Sequence, residues 1–320
     1  MSEKSTMTPE TRTESIRGIR PQRFNLSRSW QRYRLPYLLL VPAITIFVAI
    51  ILYPALSTIW ISFHKVQLTS VEEPFVGLNN YNIILSSNLL QKVITNSFVW
   101  TISSIVFQFL IGFTTALILD RMGGVGNFLR GILLLPWVMP GIVIAFIWRL
   151  ILSPDWGIAN LFLMQVGMLE ESVAWLARPS TAMTAVIVAN VWKGFPFWMV
   201  TISAGLKGIG TEIYDAAAVD GASGWRLIWY ITLPLLRFPL FVTSTLAFIW
   251  TFNYFDLIFG MTRGGPLDAT RTVPLYIYDT AFTSFRMGEA SAGSVLLMIM
   301  MCVIIFIYAR LMRVQNGGAA

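Results

Sequence analysis

The sequence predicts an all-α membrane protein of six transmembrane helices with both termini cytoplasmic. Three observations carry that expectation. Of 320 residues, 56% are hydrophobic and 12% are charged, about half the roughly 25% charge of soluble chains. Six apolar windows, 36–61, 96–119, 131–152, 182–206, 238–261 and 292–311, are each 20 to 26 residues long. About 20 helical residues cross the roughly 30 Å of a bilayer's hydrocarbon. The third observation is an uneven distribution of Lys and Arg between the loops.

Each element follows from the chemistry of its residues. Backbone groups in hydrocarbon must bond within their own segment, and long runs without strand-like alternation favour helices over a barrel. The first window exceeds the roughly 7–15 apolar residues of a signal peptide, and no small-residue cleavage site follows it, so it is expected to stay as an anchor. The weaker segment 158–175 is interrupted by Glu170 and Glu171. It is expected to be an interfacial helix outside the bilayer.

With the amino terminus inside, the inner segments hold 15 of the 23 Lys and Arg, the outer segments hold 6, and Arg149 and Lys193 fall within spans. Basic residues concentrate on the cytoplasmic side, which fixes the expected orientation. Residues 1–34, rich in Ser, Thr and Arg, read as a disordered basic tail whose Arg28 to Arg34 end rests near lipid headgroups. A first span over 35–64, a domain of five helices over 92–312 and a short cytoplasmic tail over 313–320 complete the organisation. No internal repeat is legible.

Composition also excludes chemistries. One cysteine (Cys302) permits no internal disulfide or thiolate cluster, and one histidine (His64) leaves no His-rich metal site. No GxxxxGK[ST] phosphate loop occurs. The net charge of +7 is explained by basic residues flanking the spans, so no nucleic acid partner is expected.

The loop over 207–237, on the cytoplasmic side, is too long for a simple hairpin. Glu212 to Val219 form helix readily, with acids near the amino end where the helix dipole favours them. Asp220-Gly221 then makes a turn, and Ser223 is placed to cap a second helix starting near Trp225. Pro234 and Pro239 mark the start of the fifth span. The result is a compact projection whose Ala216-Ala217-Ala218 face lets another backbone approach closely.

Asp215-Ala216-Ala217, then Gly221, then nine residues to Ile231-Thr232-Leu233-Pro234, closely resembles the "EAA" signature of ABC importer permeases (E-A-A-x3-G-x9-I-x-L-P). The one departure is Asp215 in place of glutamate, which shortens the carboxylate arm and keeps its charge. Val76 to Tyr81 resembles the family's "fvGLxNY" after the first span, and Met261 to Pro266 its "LTxGGP" after the fifth. Pro274 to Tyr278, with Ala281 and Phe282, continues that pattern. Together these are similar to the carbohydrate-uptake subfamily of maltose, glycerol-3-phosphate and multiple-sugar permeases, in particular the first permease of such a pair.

The resemblance implies a type I ABC importer permease fold and a coupling loop, with Glu212, Asp215, Ala216, Ala217, Gly221 and Arg226 docking into a cytoplasmic ATPase. It implies partners: a second homologous permease, two ATPase subunits, a periplasmic solute-binding protein and a sugar-like substrate, all beside membrane lipid. It implies no cofactor on this chain, ATP and Mg residing on the ATPase, and a non-catalytic subunit.

Ionisable groups at membrane depth cost roughly 2.5–3.5 kcal/mol each on insertion scales and so point to function. Lys193 sits mid-window beside Trp192 and near Pro196. Asp256 lies in the fifth window with Asn253 and Tyr254, and a spacing of three puts Asn253 and Asp256 on one face of a helix. One reading is a sugar path, with Lys193 and Tyr254 among its residues, in which Asn253 and Asp256 accept hydroxyl bonds while Trp192, Trp198 or Trp250 stack on a pyranose. The other is a Lys193–Asp256 pair, or carbonyl contacts, fixing helix packing. An ion-coupled secondary carrier using Asp256 or Lys193 is the alternative function; it needs no long docking loop and usually carries paired half-repeats.

Overall fold

The computed structural model describes residues 38–67 and 72–317, with side chains to 310. The expected basic tail over 1–34 lies outside the described residues. The chain divides into two compact units, 1–55 and 56–320, and each is described by itself. In the first, α1 begins at Leu38 and passes through a π-helical stretch at Val48–Leu52. Every residue from 38 to 55 is exposed. A helix apolar on all sides needs a non-aqueous neighbour.

In the second unit, α1 ends at Ser62. There follow α2 (Asn79–Leu85) and α3 (Asn88–Asp120). After these come α4 (Gly123–Leu133), α5 (Leu135–Val138), α6 (Gly141–Ile151) and α7 (Ile158–Gln165). Next are α8 (Pro179–Lys207), α9 (Thr211–Val219), α10 (Trp225–Leu235) and α11 (Arg237–Phe252). The short helices α12 (Asp256–Met261) and α13 (Val273–Tyr278) precede α14 (Met287–Gly317). That last helix continues past the expected boundary at residue 312.

Among the described residues four helices are straight and apolar enough to span, and two further pairs are bent, which gives six spans if each pair counts as one. The bends correct the picture of six simple helices. Between Gly123–Val138 and Gly141–Ile151 the axis turns by 96°. Met139 precedes Pro140 and is held extended (φ −67°, ψ 140°), because the proline ring crowds the helical conformation of the residue before it. Between Trp225–Leu235 and Arg237–Phe252 the turn is 72°. There Pro239 supplies no N–H to Leu235, so the ladder breaks at Leu236.

Two further expectations are corrected. The fifth window does not continue as a helix to 261: α11 stops at Phe252, and Asp256 opens a separate helix. The interfacial helix over 158–175 ends at Gln165. Asn160, 2% exposed, organises the loop that follows. Its Nδ2 donates to the Ser153 and Val173 carbonyls, and its Oδ1 accepts from Val173 N and Trp175 Nε1. One buried amide with all its capacity used replaces nearly three turns of helix.

The core centres on α3 packed along α8. Contact is close because Gly112 faces the α8 backbone: a Cβ there would lie 2.5 Å from Trp198 Cβ and 2.8 Å from the Phe195 carbonyl. Small residues let membrane helices approach where no hydrophobic force drives them together. Beside this seam sit Met199, Ile202, Leu206, Leu119 and Leu236, all buried. We expect Gly112→Ala to destabilise the protein by about 1–3 kcal/mol through overpacking. A thermal midpoint in mild detergent equal to that of the parent would refute the seam.

Candidate functional site

Two places gather the residues singled out in the sequence. The first is the projection between α8 and α11. Helix α9 ends in a two-bond turn: Gly221 N–H donates to the Ala218 carbonyl (3.1 Å) and Ala222 N–H to the Ala217 carbonyl (2.9 Å). That pattern requires a left-handed residue just past the helix, and Gly221 supplies it at φ +77°. The chain then restarts as helix at Trp225. Ser223 does not cap it; Gly224, at φ +54°, occupies the cap position with no side-chain bond. Glycine reaches that conformation without strain, and a serine hydroxyl is not needed.

Glu212, Asp215, Ala216, Gly221 and Arg226 are exposed, whereas Ala217 is buried. Among the described residues Glu212, Asp215 and Arg226 form no ion pair. Val219, Trp225 and Tyr230 are 87%, 73% and 78% exposed. The hairpin thus exposes charged and large apolar side chains together.

The second place is a cleft of about 100 Å³ at the junction of α3, α5, α8 and α11. Lys193, Trp250 and Tyr254 line it together with Gln108, Trp137, Asn190, Phe197 and Thr251. The Lys193 ammonium donates to the Trp137 carbonyl at 3.2 Å and stands 5.7 Å from the centre of the Tyr254 ring. Trp137 belongs to α5, directly before the 96° bend, so the lysine satisfies a carbonyl freed where that span breaks. Trp137 stacks on Phe197 (5.9 Å, 13°), and Phe197 meets Trp250 at 5.1 Å. Gln108 Nε2 donates to the Asn190 carbonyl at 3.0 Å. Asn190 Nδ2 and Tyr254 Oη are buried with no partner.

Four of the sequence-nominated path residues lie elsewhere. Trp192 packs edge-on against Trp148 within the core (6.1 Å, 71°). Trp198 is 2% exposed and meets Phe109 edge-on. Asn253 follows the end of α11, exposed, its amide donating back to Ile249. Asp256 is exposed in the first turn of α12. Because the helix stops between them, Asn253 and Asp256 do not share a helical face. No Lys193–Asp256 ion pair forms; the lysine makes the carbonyl contact instead. Conversely, the cleft also takes Gln108, Asn190 and Thr251, uncharged amides and hydroxyls that nothing in an apolar window distinguishes from packing residues.

Replacing Lys193 by leucine is expected to leave the Trp137 carbonyl without its donor, at a cost of roughly 1 kcal/mol. Faster hydrogen exchange over 134–139 in Lys193→Leu, largely restored in Lys193→Gln, is the expected signature. Unchanged exchange in the leucine variant would show that the lysine does not hold the bend.

Bent spans around a small polar cleft, with an exposed helical hairpin at one end, describe a membrane transport component. Residues 108–318 match the family described as binding-protein-dependent transport system inner membrane component, and the chain belongs to that family. The trehalose/maltose transport system permease protein MalF of Thermococcus litoralis is 36% identical over 268 residues, covering 83% of this chain and 88% of that protein. The sulfoquinovosyl glycerol transport system permease protein SmoG of Agrobacterium fabrum is 29% identical over 283 residues, covering 88% and 91%. A chain in the crystal structure of a bacterial ABC transporter involved in the import of the acidic polysaccharide alginate superposes with a TM-score of 0.79 at 23% identity. It covers 90% of this chain and 98% of that one. The fold is that of a type I ABC importer permease.

Proposed function

We propose that this chain is one permease of a pair in an ATP-driven importer of a sugar or sugar-like solute in the bacterial cytoplasmic (inner) membrane. The observation that carries the reading is the hairpin over 211–226: an EAA-type sequence folded so that Gly221 turns the chain and Glu212, Asp215, Ala216 and Arg226 face outward. The names of similar permeases, for trehalose and maltose and for sulfoquinovosyl glycerol, support a carbohydrate solute.

In this reading a solute-binding protein delivers the sugar from outside, and two cytoplasmic ATPase subunits hold ATP and Mg and close on one another. Their motion enters this chain through the hairpin, whose docked carboxylates and small alanine face hold it in the ATPase cleft. The rigid two-bond turn at Gly221 passes that motion to α8 and to the α10–α11 bend. The cleft on α8 lies at the end of that lever. Its aromatic rings suit a pyranose face, and its unpaired Asn190 amide and Tyr254 hydroxyl suit sugar hydroxyls.

Two variants test the reading. At φ +77° valine is strained by about 1–2 kcal/mol or more, so Gly221→Val should insert and assemble yet hydrolyse ATP without uptake. Normal uptake in reconstituted vesicles would remove the coupling role. For the path, Trp250→Ala is expected to lower transport while the complex still assembles, since the ring lines the cleft and is half exposed. Failure of assembly would assign Trp250 to packing.

A further inference from the structure

An apolar groove runs between the second half of α3 and the α10–α11 segment. It consists of two stretches of about 390 and 410 Å³ that share Phe109 and Leu233. Phe113, Leu117 and Trp229 line the first stretch and Leu240 the second. Arg121 also lines the first and Arg237 the second. Both arginines mark the same end of the spans, because Leu119, just before Arg121, packs in one cluster with Leu236.

Three features identify what fits. From Phe109 to Arg121 the helix rises about 18 Å, slightly more than the roughly 15 Å of one leaflet's hydrocarbon. Trp225 and Trp229 are largely exposed at the basic end, where aromatic rings mark the membrane–water boundary. Both arginines are exposed, and among the described residues neither guanidinium has an ion pair or hydrogen bond. The neighbouring carboxylate, Asp120, is turned to Arg130 at 3.9 Å. A helix from another subunit would fill the apolar stretch and leave two cations at the boundary without an anion. A lipid with an anionic headgroup satisfies both halves.

We propose that this groove binds an anionic phospholipid, an acyl chain lying along α3 and the headgroup phosphate held at the Arg121–Arg237 end. The proposal rests on the membrane fold and not on the solute carried, so a failed coupling or path experiment leaves it standing.

The experiment is native mass spectrometry of the transporter purified in mild detergent, stripped of lipid and supplied with phosphatidylglycerol or with phosphatidylcholine of the same chains. Phosphatidylglycerol should be retained and phosphatidylcholine lost. In Arg121→Gln/Arg237→Gln, affinity for phosphatidylglycerol should fall about 30-fold, two charges at roughly 1 kcal/mol each; Lys65→Gln, outside the groove, should change nothing. Equal retention of both lipids, or an unaffected double variant, overturns the proposal. So does cross-linking of a photoreactive residue at position 229 to a second permease in place of lipid. If the double variant does not assemble, Leu117→Trp decides: it fills the groove without altering charge and should expel the lipid, and undiminished retention there refutes the site.

Discussion

The structure depends on one constraint: a peptide group inside hydrocarbon has no water to bond, so each N–H and C=O must find a partner in the protein. Helices meet it along most of the chain. Where Pro140 and Pro239 break the ladder, carbonyls are released, and side chains or tighter turns must take them up. Lys193 does this at the first bend by reaching the Trp137 carbonyl. A residue that looks in isolation like a costly buried charge is thus tied to the geometry of the break beside it.

The same constraint explains the density of polar contacts between helices. Ser97 donates to the Val93 carbonyl and accepts from the Val273 amide, and Trp100 donates to the Thr251 carbonyl across to α11. Gly112 and Gly194 bring α3 and α8 close enough for Gln108 to reach the Asn190 carbonyl. Close approach, inserted polar groups and the small cleft are consequences of one packing solution. The cleft exists where the two bent spans cannot fill the space beside that tight seam.

Outside the hydrocarbon the rules differ. The segment over 262–283 is held by Arg271, which bridges Asp268 at 2.7 Å and Asp279 at 3.2 Å. Burial raises the Asp279 carboxyl above its ordinary range, against the lowering pull of Arg271. Lys92 and Asn96 reach from α3 to the carbonyls of Leu267, Asp268 and Arg271. This end of the protein is stapled by ions and amides, whereas the hairpin at residues 211–226 stands free of ion pairs among the described residues.

The sequence alone determined the fold class and the place of the hairpin, because apolar runs, turn glycines and the DAA-x3-G-x9-I-x-L-P spacing are local properties of the chain. Length and apolarity decide that a segment leaves water, and Gly221 decides the turn whatever surrounds it. Tertiary structure alone decided which polar residues meet. Lys193 and Tyr254 were legible as polar groups at membrane depth, yet Asn253 and Asp256 were placed on a helix that stops at Phe252. Gln108 and Asn190 come together only because two glycines let α3 and α8 touch. Spacing fixes neighbours within one helix, but a cleft is made between helices, where bends and close contacts set which faces turn inward.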